Sequence, residues 1–255
     1  MKDIKETIRG NLKYVEMAGY VLLFVLAWEL ISGNLISTLF LPSPSVVVNY
    51  LATEFTLNGL FQTITVLALG FPIAVALGFV IGFLVTYSRT LYRSVYPILF
   101  SFKAIPSTGI AILLVVWLGT GFATKFFVVL YTGFFSVMVN TAGGLARIKY
   151  DYVEMMQSIQ ASKMTIFRKL LFPNALPHIF TGIKNACPDT IIGVIVAELF
   201  AGNTGLGYVF TWAASINNVP LEFAALVWMG ILGMVLFGIV ITIERAIRPW
   251  YLRKY

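Results

Sequence analysis

The sequence contains one cysteine and one histidine among its 255 residues, and only 11% of its residues are charged. A single cysteine cannot form a disulfide within the chain. A zinc site needs three or four nitrogen or sulfur ligands, so this composition excludes most metal chemistry. The chain also contains no GxxxxGK[ST] phosphate loop and no GxSxG nucleophile motif, each of which carries a specific chemistry. We therefore expect no catalytic residue, no metal site and no cofactor bound by this chain.

The scarcity of charge also excludes a soluble fold. The chain is 59% hydrophobic with a mean hydropathy of +0.88, which leaves too little polar surface to cover a globule of this size. Six apolar runs reach the length of about 17 to 25 residues that a membrane-crossing helix needs. They cover residues 18–38, 60–87, 95–118, 124–146, 177–200 and 221–244. The sequence therefore predicts an all-α integral membrane protein with six transmembrane helices.

Two connections between these runs, residues 40–59 and 201–220, contain no Lys or Arg, and Lys125 alone marks the short third connection on that side. Most of the 18 Lys and Arg residues lie before the first run and after the second, fourth and sixth runs. The group after the fourth run lies in a long loop at residues 147–176. Positive residues near span ends stay in the cytoplasm. Both termini and this loop, called the basic loop below, are therefore predicted to be cytoplasmic.

The predicted domains follow from this topology. Residues 1–17 form a cytoplasmic N-terminal segment, and residues 18–255 form one transmembrane domain that includes the basic loop. The net charge of +7 reflects the topological distribution of Lys and Arg, because the chain shows no basic helix with stacking aromatics. Nucleic acid is therefore not expected as a partner, whereas the lipid bilayer is.

The basic loop is long for a connection inside a compact domain. Its apolar residues recur at spacings of three to five, which predicts one or two short amphipathic helices. Ser162 and Thr165 supply capping side chains for a break in the middle, and Pro173 and Pro177 are expected to end the second helix before the fifth run. Three interpretations stay open: a helix on the inner leaflet, a helix packed on its own bundle, or a helix docked on a cytoplasmic protein.

The basic loop resembles the EAA loop of binding-protein-dependent ABC importer permeases. That pattern is EAA, a Gly four residues later, nine more residues, and then I-x-L-P. Glu154 matches the Glu and Pro173 the Pro, while Gln160 stands at the Gly position and Met155 and Met156 replace the two alanines. Further motifs resemble, in order, the branch that imports nitrate, sulfonates, taurine and related compounds. They are LPSPS at 41–45, KAIPSTGIAIL at 103–113, ASKMTIFRKLLFPNALPHIFTGIK at 161–184, VAEL at 196–199 and GLGY at 205–208.

The resemblance implies the type I ABC importer permease architecture in the prokaryotic plasma (inner) membrane. It implies a permease subunit that forms the path for a small solute delivered by an extracytoplasmic solute-binding protein. The implied partners are two copies of an ATP-binding cassette subunit, which bind ATP and Mg, and a second permease copy. Residues 150–163 would form the helix that couples to the ATPase within the 150–173 segment. The residues expected at that contact are Tyr150, Glu154, Met155, Ile159, Gln160, Ala161, Ser162 and Lys163.

The solute path is expected where polar or helix-breaking residues lie at membrane depth. In the third run these residues are Lys103, Pro106, Ser107, Thr108 and Gly109. The apolar part after Gly109 is too short to cross a bilayer alone, so the span is expected to continue as a kinked helix through Pro106. A tolerated kink in a packed bundle, with Lys103 reaching toward the cytoplasm, stays an alternative.

The fifth run contains Lys184, Asp189 and Glu198, and charged side chains at membrane depth should face the protein interior or each other. Lys184 and Asp189 are five positions apart, which makes a poor pair on one helix. Glu29 in the first run is expected to pair with a neighbouring span.

At the predicted outer side, four residues are candidates for an outer gate or a structural role, with the structural role favoured for Glu198. They are Glu198, Asn203, Gly205 and Gly207. A stand-alone secondary transporter or channel remains the alternative function. The residues do not reveal which solute is carried.

Overall fold

The computed structural model describes Glu16, residues 19–86 and residues 88–252. Apart from Glu16, the predicted N-terminal segment lies outside the described residues. The helices in chain order are α1 (Gly19–Ile31), α2 (Pro44–Leu51), α3 (Glu54–Thr86), α4 (Arg89–Lys103), α5 (Ser107–Leu118), α6 (Phe122–Ala146), α7 (Tyr150–Ser158), α8 (Lys163–Ile166), α9 (Phe172–Ala201), α10 (Leu206–Ser215) and α11 (Val219–Leu252). A π-helical segment, Phe167–Leu171, joins α8 to α9.

Four of the described helices are long and apolar enough to cross a bilayer: α3, the continuous α8–α9 helix, α6 and α11. The pair α4 and α5 makes a fifth span if its two halves count together. Over its described residues, α1 is a shorter apolar helix. The prediction of an all-α membrane protein is confirmed, whereas the count of six crossings and the position of the termini stay predictions.

Helix α6 lies at the centre of the bundle, between α3 and α9. Glycines permit these close contacts: a Cβ added to Gly78 of α3 would lie 2.7 Å from the Phe134 carbonyl oxygen of α6. On the other side, a Cβ added to Gly182 of α9 would lie 2.8 Å from Asn140 Cβ. Helices in lipid gain little from apolar burial alone, so close van der Waals packing holds them together. Cys187 is fully buried in this core, as expected for a small apolar residue.

The third predicted span is two helices rather than one kinked helix, so the expectation of a continuous span was wrong. Helix α4 ends at Lys103, α5 begins at Ser107, and the two axes meet at 86°. Pro106 lies immediately before α5 with extended backbone angles. A proline has no amide hydrogen and its ring clashes with the preceding helical turn. Pro106 is therefore compatible with the start of α5 but not with a helix continuing from α4.

The fifth span also differs from the expectation, because Pro173 and Pro177 do not end the helix that begins in the basic loop. That helix runs without interruption from Lys163 to Ala201. In its π segment, the Phe172 amide donates to the Phe167 carbonyl five residues back. The wider π turn relieves the clash that the Pro173 ring would make with a carbonyl four residues back. One helix thus connects the basic loop with the far end of the bundle.

Helix α2 explains the LPSPS stretch. The Glu29 carboxylate of α1 accepts hydrogen bonds from the Ser45 amide (3.1 Å) and the Ser45 hydroxyl (2.7 Å), in the first turn of α2. A carboxylate at a helix N-terminus is favourable because it compensates unpaired amides and the helix dipole. The Trp28 indole donates to the Pro42 carbonyl at 3.0 Å. The partner of Glu29 is thus a short connecting helix rather than a neighbouring span, which corrects the expectation.

Candidate solute path and coupling loop

The break between α4 and α5 leaves backbone carbonyls without partners inside either helix, which is costly where water is absent. Tyr131 of α6 compensates for this. Its hydroxyl lies 2.5 Å from the Phe102 carbonyl oxygen and 3.2 Å from the Ile105 carbonyl oxygen. Irregular backbone at membrane depth is tolerated only where protein covers it or a water-filled cavity adjoins it.

A cavity of about 230 Å³ adjoins this break. Its lining residues are Lys103, Ala104, Ile105, Pro106, Ser107, Tyr131, Thr132, Phe135, Asp189 and Ile192. Three predicted path residues, Lys103, Pro106 and Ser107, are among them. Thr108 and Gly109 are exposed in the first turn of α5 and do not line this cavity.

A bridged charge pair forms part of the cavity wall. The Lys103 ammonium donates to the Ser136 hydroxyl at 3.1 Å, and that hydroxyl donates to the Asp189 carboxylate. Lys103 Nζ and Asp189 Oδ2 are 3.9 Å apart, and the two side chains are 40% and 38% exposed. The bridge connects α4, α6 and α9. The sequence interpretation missed the role of Ser136, and the only signal for Asp189 was a carboxylate inside an apolar run.

Lys184 lies five residues before Asp189 on α9 and reaches a different helix. Its Nζ is 3.0 Å from Glu244 Oε2 of α11. A separation of five residues places the two side chains on different faces of a helix. The expectation that both charged residues face the protein is confirmed, and together they attach α9 to α4 on one side and to α11 on the other.

At the opposite end of α9 from the basic loop, Glu198 is completely buried. Its carboxylate accepts hydrogen bonds from the Thr63 hydroxyl and the Gly207 amide, each at 2.8 Å. Lys125 is only 2% exposed and donates to the Thr204 carbonyl at 2.5 Å and to its hydroxyl at 2.7 Å. The charges of Lys125 and Glu198 attract each other within this network. Lys125, which marked the short third connection in the sequence, is a buried residue in the first turn of α6.

Three of the four predicted outer residues meet at this carboxylate. Gly205 has a φ of +103°, which favours glycine, and a Cβ added there would overlap the Glu198 carboxylate. A Cβ added to Gly207 would lie 2.7 Å from Glu198 Cβ. The turn between α9 and α10 therefore needs glycine at both positions, while Asn203 lies on the exposed side of the turn.

The basic loop forms a helix, a tight turn and a second helix. The Ala161 amide donates to the Met156 carbonyl at 3.0 Å and the Gln160 amide donates to the Gln157 carbonyl at 2.8 Å. Gln160 has a φ of +59°. These features define a Schellman motif, which ends a helix with one residue in the left-handed conformation. A single helix over residues 150–163 was therefore a wrong expectation, because α7 ends at Ser158.

The second helix of the loop begins at a side-chain cap. The Ser162 hydroxyl accepts a hydrogen bond from the Thr165 amide at 3.2 Å, so the predicted break with a capping side chain is confirmed. A Schellman turn followed directly by a capped helix leaves little conformational freedom between α7 and α8.

The surface of α7 and its turn exposes an apolar stripe formed by Tyr152, Met155 and Ile159, which are 50%, 60% and 72% exposed. Their spacing of three and four residues places them on one face. The sequence interpretation selected Met155 and Ile159 but missed Tyr152. The other predicted contact residues lie beside the stripe: Glu154, Gln160, Ser162 and Lys163 are exposed and Ala161 is half-buried. The Tyr150 side chain lies outside the described residues.

The described residues thus form a helical membrane bundle with a cavity beside a broken helix and an ordered helical loop. The chain belongs to the family described as the binding-protein-dependent transport system inner membrane component, whose model matches residues 74–247. It is an ABC importer permease subunit, which decides against a stand-alone transporter.

The chain is similar to three named permeases. It is 28% identical over 246 residues to the formylaminopyrimidine transport permease protein ThiX of Halalkalibacterium halodurans, covering 95% of this chain and 98% of that protein. It is 26% identical to the nitrate import permease protein NrtB of a Synechocystis species, covering 93% of this chain and 90% of that protein. It is also 26% identical to a putative aliphatic sulfonates transport permease protein, SsuC of Bacillus subtilis, covering 94% of this chain and 90% of that protein.

Two solved structures share the fold. An inward-facing structure of the MetNI methionine ABC transporter matches with a TM-score of 0.65 at 21% identity, over 76% of this chain and 96% of that chain. A bacterial ABC transporter that imports alginate matches with a TM-score of 0.58 at 13% identity, over 97% of this chain and 99% of that chain. The predicted type I importer architecture is thereby confirmed.

Proposed function

We propose that this chain forms the membrane path for a small solute and that the exposed stripe on α7 binds a separate ATP-hydrolysing subunit. Tyr152, Met155 and Ile159 would be the apolar anchors, with Glu154, Gln160, Ala161, Ser162 and Lys163 around them. A helix with apolar anchors and a charged rim suits a groove on a partner protein. An exposed apolar stripe on an ordered helix is more typical of a protein contact than of a surface that only faces water.

The magnitude of such a contact is sufficient for coupling. Moving a two-state bundle from 1:99 to 99:1 needs about 5.5 kcal/mol of differential interaction. Tyr152, Met155 and Ile159 are 50%, 60% and 72% exposed, so burying what is exposed contributes about 3 to 5 kcal/mol in total at about 1.5 to 3 kcal/mol for a whole side chain. The stripe would therefore supply most of the required free energy if it is buried in one state more than in the other, and the polar residues around it would supply the rest.

The observation that carries the proposal is the uninterrupted helix from Lys163 to Ala201. At a rise of about 1.5 Å per residue, it spans about 58 Å. It begins at the turn beside the stripe, passes Asp189 in the cavity wall, and contains the buried Glu198 near its other end. Although Pro173, Pro177 and Pro188 each remove one backbone donor, the helix is not broken by a loop. A displacement of the basic loop would therefore be transmitted to both sites along one helix rather than through a flexible connection.

The complete importer, by this proposal, contains two permease copies, two ATPase copies that hold ATP and Mg, and an extracytoplasmic solute-binding protein. It lies in the plasma (inner) membrane of a prokaryote, with the basic loop in the cytoplasm. Lys103, Pro106 and Ser107 would belong to the solute path. Glu198, Gly205 and Gly207 would fix the outer turn rather than contact solute, because their contacts are already satisfied within the protein.

Reversing the charge of Glu154 tests the coupling contact. Glu154→Lys should leave membrane insertion intact, reduce co-purification of the ATPase subunit, and abolish solute uptake by proteoliposomes containing the complete importer. The matched control is Glu54→Lys, since Glu54 is also an exposed helical glutamate but lies at the end of α3 that packs near the α9–α10 turn rather than near the basic loop. Normal uptake by the Glu154→Lys importer would count against the coupling role.

A further inference from the structure

The cavity beside the α4–α5 break contains one cationic and one anionic side chain, Lys103 and Asp189, joined through Ser136. Opposite charges 3.9 Å apart leave the cavity wall with no net charge. The Ser136 hydroxyl uses one ammonium hydrogen and one carboxylate oxygen. An ammonium has three donors and a carboxylate about four acceptor sites, so both groups keep capacity for a ligand.

This arrangement selects by hydrogen-bond type as well as by charge. A solute in the cavity meets donors from Lys103 and acceptors from Asp189 at the same wall. An inorganic anion offers acceptors only, so its attraction to the ammonium is opposed by repulsion from the carboxylate. A solute with donor and acceptor groups side by side, such as an amide or an aminopyrimidine, can satisfy both groups.

The size and the other walls point to one ring. An enclosed apolar cavity of about 150 Å³ accommodates benzene, so the partly open cavity of about 230 Å³ here has room for one six-membered ring with small substituents. Tyr131 and Phe135 supply aromatic faces, and Ile105 and Ile192 supply aliphatic contacts. The Tyr131 hydroxyl is engaged by the broken backbone, so its ring contributes mainly apolar surface.

We propose that Lys103, Ser136 and Asp189 form a specificity site in the membrane path that takes a neutral, planar, single-ring heterocycle carrying adjacent donor and acceptor groups. This inference rests on the proposed function, because it names the solute class of that path. Among the named permeases that the chain resembles, such a site favours a solute like that of the formylaminopyrimidine permease over the anions of the nitrate and sulfonate permeases.

Equilibrium binding to the purified importer in lipid nanodiscs tests the inference, with formylaminopyrimidine, nitrate and ethanesulfonate as the probes. The unchanged protein should bind formylaminopyrimidine at least about tenfold more tightly than either anion, since an extra hydrogen bond to a charged group contributes that much. Asp189→Asn should weaken pyrimidine binding by about tenfold and strengthen nitrate binding, because the wall becomes positive. Asp189→Glu should retain the preference of the unchanged protein.

The matched control is Glu244→Gln, which removes the carboxylate of the other ion pair of α9 outside the cavity, and it should leave all three affinities unchanged. Monodisperse elution of each variant from a sizing column excludes misfolding as the cause of a loss of binding. Ser136→Ala provides a second variant of the site, in which no charge is changed. The inference would be overturned if either anion bound more tightly than formylaminopyrimidine, or if the three probes bound equally or not at all. It would also be overturned if Asp189→Asn had the same three affinities as the unchanged protein. The same binding measurement on the permease without the ATPase subunit tests the solute site alone. The coupling proposal is tested separately by co-purification of the ATPase, so the two proposals can fail independently.

Discussion

Replacing Gln160 with glycine should stabilise the turn that joins α7 to α8. Gln160 has a φ of +59°, and the left-handed conformation costs an L-residue about 1 to 2 kcal/mol. Glycine removes this cost but loses about 0.5 to 1 kcal/mol more backbone entropy on ordering. The midpoints of these two ranges, about 1.5 and about 0.75 kcal/mol, leave a net stabilisation of about 0.75 kcal/mol, which corresponds to a reduction of about two- to fivefold in local opening.

Amide hydrogen exchange measures this opening directly, because the Gln160 and Ala161 amides both donate hydrogen bonds within the turn. Their exchange in Gln160→Gly should slow by about two- to fivefold. Gln160→Val should accelerate it, since a β-branched residue in this conformation carries about 1 to 3 kcal/mol of strain.

The control substitution introduces glycine two residues earlier, where the backbone is helical. Ser158→Gly should destabilise the end of α7 by about 0.5 to 1 kcal/mol and accelerate exchange. If glycine at 160 accelerated exchange as glycine at 158 does, the left-handed turn would not be the conformation of this loop in solution.

Two further predictions concern the ion pairs and buried charges of α9. Glu198→Ala should destabilise the protein by about 2 to 5 kcal/mol, because the buried Thr63 hydroxyl and Gly207 amide lose their acceptor and the buried Lys125 loses a nearby opposite charge. Asn203→Ala on the same turn should change stability by less than about 0.5 kcal/mol. Thermal unfolding in detergent compares the two variants, and equal melting temperatures would contradict the buried network. Lys184→Met should destabilise by about 1 to 3 kcal/mol, and the double variant with Glu244→Leu should recover most of that loss, so a double-mutant cycle without coupling would show that the pair contributes nothing.

Local patterns in the sequence were sufficient for the class of fold and for some of its boundaries. The apolar runs and the distribution of Lys and Arg predicted a helical membrane protein because transfer into lipid depends on composition over about 20 residues. The cap at Ser162 was predictable because it involves a side chain and an amide three residues apart. Pro106 predicted a kink in the third span, but not the break into two helices that meet at 86°.

Pro173 shows where a local rule failed. A proline in this position normally ends a helix, but the π turn from Phe167 to Leu171 makes room for its ring. The wider turn is tolerated only if its free-energy cost is smaller than the stabilisation that the continued helix provides. Here that stabilisation is the packing of α9 against α6 along the bundle. That gain is tertiary and cannot be read from the residues around the proline.

By itself the sequence determined that the chain enters a membrane as helices, that a basic loop with short helices connects two of them, and which residues are charged within the apolar runs. Only the tertiary structure decided which of those charges meet. Ser136 lies 33 positions from Lys103 and 53 from Asp189, and Lys125 lies 79 positions from Thr204. The cost of an unpaired charge in lipid requires that each has a partner, but the identity of the partner depends on how α4, α6 and α9 pack, which no local pattern encodes.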